Sequence, residues 1–113
     1  MTRLRRNSLE NKGKAQTFLG FAVRAGKYRT GFNSVASIKK AYLIVVCKTA
    51  SENSVGEAKK IAKKFGCPLI MTAKETLAEI IFKENAKIMA VTDKNLARAA
   101  FSESEKDFIT VQE

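Results

Sequence analysis

An unbroken apolar run from Tyr42 to Cys47 limits most strongly what this chain can fold into. The run reads Tyr-Leu-Ile-Val-Val-Cys, with several β-branched side chains and no charged residue. A strand with one solvated face alternates apolar and polar residues, whereas a strand covered on both faces does not. The run therefore predicts the central strand of a sheet that is buried on both sides.

Helical and strand patterns alternate along the rest of the chain, which predicts a three-layer α/β/α sandwich. Residues 1–7 are interpreted as a basic N-terminal arm, and residues 8–113 as a single domain. Before the central strand we predict a helix from a cap at Asn7 or Ser8 to about Arg24, an edge strand 27–30 and a second helix 32–40. After it we predict a polar loop 48–53, a third helix 54–65, a strand 69–71 and a short helix near Leu77. The chain then continues with a strand 88–91, a helix capped by Asp93, and a tail that either adds a strand or frays.

The charge balance indicates a polyanionic partner. Lys and Arg number 21 against 11 Asp and Glu, a formal net charge of +10. The excess is concentrated in residues 1–29, where Glu10 is the only carboxylate, and the sign reverses from Glu103 onward. A basic domain of this size typically meets a nucleic acid, although charge also serves solubility.

The residue inventory argues against an enzyme or a metalloprotein. The chain has no histidine, so imidazole acid–base catalysis and a Ser-His-Asp set are excluded. The two cysteines, Cys47 and Cys67, lie in apolar stretches and are interpreted as buried, reduced thiols of a cytoplasmic protein. Neither a phosphate-binding glycine pattern nor an apolar run of membrane-spanning length occurs, so we expect no cofactor and no membrane contact.

The junction between the first helix and the second is the candidate binding segment. Cations at Arg24, Lys27 and Arg29 are expected to converge on the start of the second helix, where free N–H groups favour phosphate. Asn33 adds an amide that can donate and accept on a base edge. An ordinary capped helix explains the same residues equally well. Four lysines on the third helix (59, 60, 63 and 64) share one side, which is more typical of a solvated face than of an RNA contact.

The stretch Gly20-Phe-Ala-Val-Arg-Ala-Gly26-Lys27, followed by Gly31, resembles the bacterial YlxQ-like branch of the kink-turn-binding ribosomal proteins, whose wider family includes ribosomal proteins 7Ae and 30e. Further similar segments are Leu43-Ile-Val-Val46, Ala50-Ser-Glu-Asn53, Gly66-Cys-Pro68 and Ala90-Val-Thr-Asp93. The resemblance covers about residues 15–101. It implies a small mixed sheet within the sandwich and recognition of kink-turns, which are sharply bent RNA internal loops flanked by sheared G·A pairs.

The resemblance also implies which segments meet the RNA. The Gly31–Ser34 segment would contact the G·A pairs, the loop 48–53 would lie beside it, and residues 72–77 would cover extruded bases. The expected RNA-binding residues therefore fall into three groups. At the approach to the second helix and at its start they are Arg24, Lys27, Arg29, Gly31, Phe32, Asn33 and Ser34. Lys39 and Lys40 are expected further along that helix, and Thr49, Ser51 and Lys74 in the two later segments.

The chain departs from the family pattern at four positions. Ser34 and Ser37 stand where archaeal members have Glu and Lys, and Ala78 and Phe82 stand where glycines are usual. The leading hypothesis is a monomeric, non-catalytic RNA-binding protein associated with rRNA or the ribosome. The alternative, motivated by these departures, is a protein-interaction module on the same fold, for which an exposed Phe82 would be the marker.

Overall fold

The computed structural model describes residues 14–105 and 107–111. The predicted arm 1–7 and the predicted caps Asn7 and Ser8 lie outside the described residues. The helices are α1 (Lys14–Arg24), α2 (Phe32–Ser37), α3 (Glu52–Phe65), α4 (Leu77–Ile81) and α5 (Lys94–Ser102), and the strands are β1 (Tyr28–Thr30), β2 (Leu43–Val46), β3 (Leu69–Thr72), β4 (Ile88–Val91) and β5 (Phe108–Val111).

The five strands form one mixed sheet in the order β1-β4-β2-β3-β5. Strands β2 and β3 pair in parallel, and the other neighbours pair antiparallel. The central position of β2 confirms the prediction made from the apolar run, since all four of its residues are buried. The tail forms a strand, so the frayed alternative does not hold for residues 108–111.

Helices cover both faces of the sheet, which confirms the three-layer sandwich. Leu43 and Val45 of β2 point toward a core shared with α1, α4 and α5. Their neighbours Ile44 and Val46 point to the other face, toward a core shared with α2 and α3. This alternation follows from the period of two in a strand and explains why every residue of β2 must be apolar.

The turn between α1 and β1 depends on Gly26. Its φ of 71° lies in the left-handed region that favours glycine, as predicted for a helix-ending residue. The chain then enters β1, which pairs with β4 and is an edge strand of the sheet that the described residues form. None of the helices in the described part of the chain has the length and apolarity needed to cross a bilayer.

Two predicted helix boundaries are wrong. Helix α2 ends at Ser37 instead of residue 40, because Ile38 already has an extended backbone and Tyr42 must pair with Val91. Helix α3 begins at Glu52 instead of residue 54, because the Ser51 hydroxyl accepts a hydrogen bond from the Ser54 N–H and caps the helix. The loop after β2 is therefore shorter than expected.

Candidate nucleic-acid interface

One edge of the sheet collects the connections that the sequence resemblance singled out. Strands β1, β2 and β3 end at this edge, and β4 and β5 begin there, as the pairs Thr30–Met89, Val46–Ile88 and Thr72–Phe108 establish. We call this surface the loop edge. Its residues are Gly31–Ser34 after β1, 47–51 after β2, 72–77 after β3, Lys87 before β4 and Asp107 before β5.

Side chains and backbone groups tie the loop after β2 to the segment after β3. The backbone N–H of Lys48 donates to Thr72 Oγ1 at 2.8 Å, and the Lys48 ammonium donates to the Lys74 carbonyl at 2.7 Å. The N–H of Leu77 donates to Cys47 Sγ at 3.3 Å. These bonds fix the two segments side by side.

Lys87 and Thr49 tie the same loop to the start of β4. The Lys87 ammonium donates to Thr49 Oγ1 at 2.7 Å, and the Thr49 hydroxyl lies 3.1 Å from Cys47 Sγ. The next residue after Lys87 is Ile88, whose carbonyl accepts from the Gly31 N–H at 3.3 Å. The start of α2 is thus anchored close to Lys87, which places Gly31–Ser34 on the same edge.

The thiol of Cys47 is the buried centre of this network. Burial raises the pKa of this thiol, but hydrogen bonds from Thr49, Leu77 and Thr72 lower it by more. The pKa of Cys47 therefore lies below its ordinary value. The prediction of a buried thiol is confirmed for Cys47, whereas Cys67 is only half-buried. Burial raises the pKa of Cys67 to about 11, and the nearby Lys40 ammonium partly opposes that rise.

A capping box orders the segment that leads into α4. Thr76 Oγ1 accepts from the Glu79 N–H at 3.2 Å, and Glu79 Oε1 accepts from the Thr76 N–H at 2.9 Å. The hydrogen bonds from Thr76 lower the pKa of the Glu79 carboxyl. The 72–77 segment is therefore held at both ends, by Thr72 on the loop and by Thr76 on the helix.

The loop edge carries little net charge. Its exposed cations are Lys48, Lys74 and Lys87. Glu75 and Asp107 lie in the same segments, Glu52 follows Ser51 in the sequence, and the Lys48 ammonium helps to lower the pKa of Glu79. The Lys74 ammonium lies 3.4 Å from Oδ1 of Asp107, whose side chain is only 5% exposed. Asp107 Oδ2 is buried and has no hydrogen-bond partner among the described residues. The opposite charges at this edge therefore largely offset one another.

Seven of the twelve sequence-predicted residues lie on the loop edge. Asn33 is exposed there in the first turn of α2, and no side chain caps that helix. The hydroxyls of Thr49 and Ser51 already hold the loop and the start of α3, so they position the backbone rather than lie free for a ligand. The seven are Gly31, Phe32, Asn33, Ser34, Thr49, Ser51 and Lys74.

Of the cations expected to converge on the start of α2, Arg29 lines a shallow concavity with Ser34 of its first turn, whereas the expectation is wrong for Arg24 and Lys27. Lys27 precedes β1 and its carbonyl accepts from the Thr92 N–H, which places it at the opposite edge of the sheet. The three residues of β1 span about 10 Å and separate the two ends. Arg29 lies between them on the exposed edge strand, and its guanidinium donates to the Tyr28 carbonyl at 2.9 Å. Arg24, Lys27, Lys39 and Lys40 therefore lie away from the loop edge, and the last two do not belong to α2.

Three contributors to the loop edge were not among the expected binding residues, although two of them lie in the segments 48–53 and 72–77 that the resemblance implied. Lys48 and Lys87 are exposed cations on it, and Thr72 is fully buried beneath the loop. Lys87 carried a usable signal, because it immediately precedes a buried strand that starts at this edge. Thr72 carried none, since a threonine that ends an apolar strand reads as an ordinary strand residue.

Comparisons with known proteins bear on the fold. A scan against models of known protein families finds no match, and no curated protein matches either. Fifteen solved chains are structurally similar. One is described as a protein with unknown function from Bacillus halodurans C; it superposes with a TM-score of 0.75 at 18% sequence identity, over 84% of this chain and 100% of that chain. At that identity the similarity shows a shared fold and nothing more.

Proposed function

We propose that this chain is a non-catalytic, monomeric RNA-binding protein that recognises structured RNA through the loop edge. The proposed ligand is a kink-turn, and the proposed setting is rRNA or the ribosome in the cytoplasm, in keeping with two free thiols. The proposal rests on one observation. The three segments that the family resemblance implies for RNA contact lie on one edge, and hydrogen bonds join them.

The geometry suits RNA with an irregular shape. Duplex RNA hides its base edges in a deep, narrow major groove, whereas internal loops display bases that side chains can reach. The Asn33 amide on the rim offers both a donor and an acceptor to such a base. Lys48, Lys74 and Lys87 lie along the same loop edge and supply cations for the flanking phosphates.

The test replaces two of those cations by shorter, neutral side chains, which also removes the hydrogen bonds of both ammoniums to Lys74 and Thr49. We expect Lys48→Gln/Lys87→Gln to lower the affinity for kink-turn RNA by at least fivefold in a fluorescence anisotropy titration. The matched control is Lys60→Gln/Arg98→Gln, which loses the same charge from exposed positions on α3 and α5. Equal affinity losses in both variants would mean that only net charge matters, and the loop edge would lose its assigned role.

Phe82 supports a second candidate function, that of a protein-interaction module on the same fold. This side chain is 81% exposed, and its backbone φ of 59° lies in the left-handed region. It borders a groove of about 360 Å³ between α1 and α4. An exposed aromatic beside a groove is typical of a protein contact. Loss of ribosome co-sedimentation in Phe82→Gly, together with equal binding of intact and disrupted kink-turns, would favour this function over the first.

A further inference from the structure

The edge of the sheet opposite the loop edge is strongly positive. At this edge β1, β2 and β3 begin and β4 ends. Asp93 is a carboxylate at this end, and its Oδ1 already accepts a hydrogen bond from the Leu96 N–H at 2.9 Å. We call this surface the cationic end. Its exposed cations are Arg24, Lys27, Lys39, Lys40, Lys63, Lys64 and Lys94.

Contacts between elements bring these cations together. The Thr92 N–H donates to the Lys27 carbonyl at 3.0 Å, which joins the start of β1 to the start of α5. The Lys64 ammonium donates to the Ala36 carbonyl at 3.0 Å, which joins the end of α3 to the end of α2. The Ile44 N–H donates to the Pro68 carbonyl at 3.0 Å, which joins the start of β2, just after Lys40, to the approach to β3.

Three of the cations rest on aromatic rings. Arg24 lies 5.0 Å from the centre of the Phe21 ring, Lys40 lies 5.7 Å from that of Tyr42, and Lys64 lies 5.3 Å from that of Phe65. A cation packed on a ring has lost part of its rotamer freedom before any ligand arrives. Less entropy is then lost when it meets an anion.

Helix dipoles explain only part of this arrangement. Cations in the last turn of a helix are favourable, which accounts for Arg24, Lys63 and Lys64. Lys27 lies between α1 and β1, and Lys39 and Lys40 lie between α2 and β2, so the helix dipole does not account for these three cations. Lys94 lies in the first turn of α5, where the helix dipole disfavours a cation.

We propose that the cationic end binds the phosphate backbone of an RNA helix while the loop edge holds a second RNA element. The four residues of β2 separate the two surfaces by about 13 Å of strand, so one molecule can contact two RNA segments. The inference rests on the proposed function in one respect, that the polyanion is RNA. Binding here is insensitive to sequence, because lysines on phosphates read no base.

The test is a two-step capture with the full chain. A kink-turn RNA is immobilised and saturated with protein, and a labelled RNA duplex without internal loops is then added at moderate salt. We expect the wild type to retain the duplex. We expect Lys39→Gln/Lys40→Gln to keep kink-turn affinity within twofold and to weaken duplex retention at least fivefold. The slope of log affinity against log salt should fall by about 1 to 2 for this variant, since each lost phosphate contact removes about 0.9.

The controls separate this inference from the proposed function. Lys60→Gln/Arg98→Gln should retain the duplex as the wild type does. Lys48→Gln/Lys87→Gln should lose affinity for the kink-turn RNA and keep its affinity for the duplex. Direct titration of the duplex in solution tests the cationic end even if no kink-turn preference exists. Unchanged duplex binding by Lys39→Gln/Lys40→Gln would overturn the inference. Tighter binding to phosphatidylglycerol vesicles than to the duplex, lost in the same variant, would also overturn it and assign the surface to lipid.

Discussion

The N–H of Leu77 donates a hydrogen bond to the sulfur of Cys47 across 30 residues of sequence. This bond joins the end of the central strand to the start of α4. It means that Cys47 acts as a hydrogen-bond acceptor as well as a buried apolar group. The loop edge owes part of its shape to a thiol that receives hydrogen bonds.

Substitution of Cys47 distinguishes these two roles. Cys47→Ala leaves the Leu77 N–H unsatisfied, which should cost about 1 to 3 kcal/mol of unfolding free energy. Cys47→Ser keeps an acceptor for Leu77 and a partner for Thr49, so it should cost less than Cys47→Ala. Urea denaturation of both variants measures the difference. A less stable serine variant would show that only the apolar character of Cys47 matters.

The buried hydroxyl of Thr72 should stabilise the loop after β2. Thr72→Val keeps the volume but removes the acceptor for the Lys48 N–H, at a cost of about 1 to 3 kcal/mol. The matched control is Thr110→Val, which makes the same change at an exposed position of β5. Hydrogen exchange should also show faster exchange of the Lys48 amide in Thr72→Val. Equal stability of the two variants would contradict this role.

Asn33 should read a base rather than a phosphate. We expect Asn33→Ala to weaken kink-turn binding about tenfold, which is about 1.4 kcal/mol, and to leave plain duplex binding unchanged. Ser37→Ala is the control on the same helix, because its hydroxyl donates to the Ser34 carbonyl of that helix. Anisotropy titrations with both RNAs give the comparison. Parallel losses on the two RNAs would argue against base contact at Asn33.

The pKa of Cys67, about 11, predicts slow alkylation near neutral pH. Burial raises this pKa, so the neutral thiol is the form that the fold favours. Its contribution to stability is complete below the pKa of the unfolded thiol and is lost as the pH rises toward about 11. The rate of iodoacetamide reaction should therefore climb up to about that pH.

Lys40→Gln should raise the pKa of Cys67 further, because the ammonium favours the thiolate. The alkylation profile of this variant should shift to higher pH, whereas that of Lys60→Gln should not. An unshifted profile in Lys40→Gln would show that the two side chains are not neighbours in solution.

The layers of the fold could be predicted from sequence because burial periodicity encodes them. The four buried residues of β2 and the apolar faces of α1, α3 and α5 identify a sheet with helices on both sides. The end of α2 could not be predicted, since residues 38–40 carry no glycine or proline. Tertiary pairing ends that helix, because Tyr42 must reach Val91.

The candidate site was only partly predictable for a related reason. Arg24, Lys27 and Asn33 lie within ten residues of one another, and their proximity in sequence suggested a single site. Strand β1 runs between them and carries Asn33 to one edge and Lys27 to the other. Conversely, Lys48 and Lys87 are 39 positions apart, and antiparallel pairing of β2 with β4 brings them to the same edge.

The central claim is recognition of RNA shape by the loop edge. The most direct test titrates the wild-type protein with a consensus kink-turn RNA and with the same RNA after its G·A pairs are replaced by Watson–Crick pairs, at one moderate salt concentration. We predict a preference for the intact kink-turn of tenfold or more, about 1.4 kcal/mol. Equal affinity for the two RNAs would contradict the claim, and the loop edge would then not be a kink-turn site.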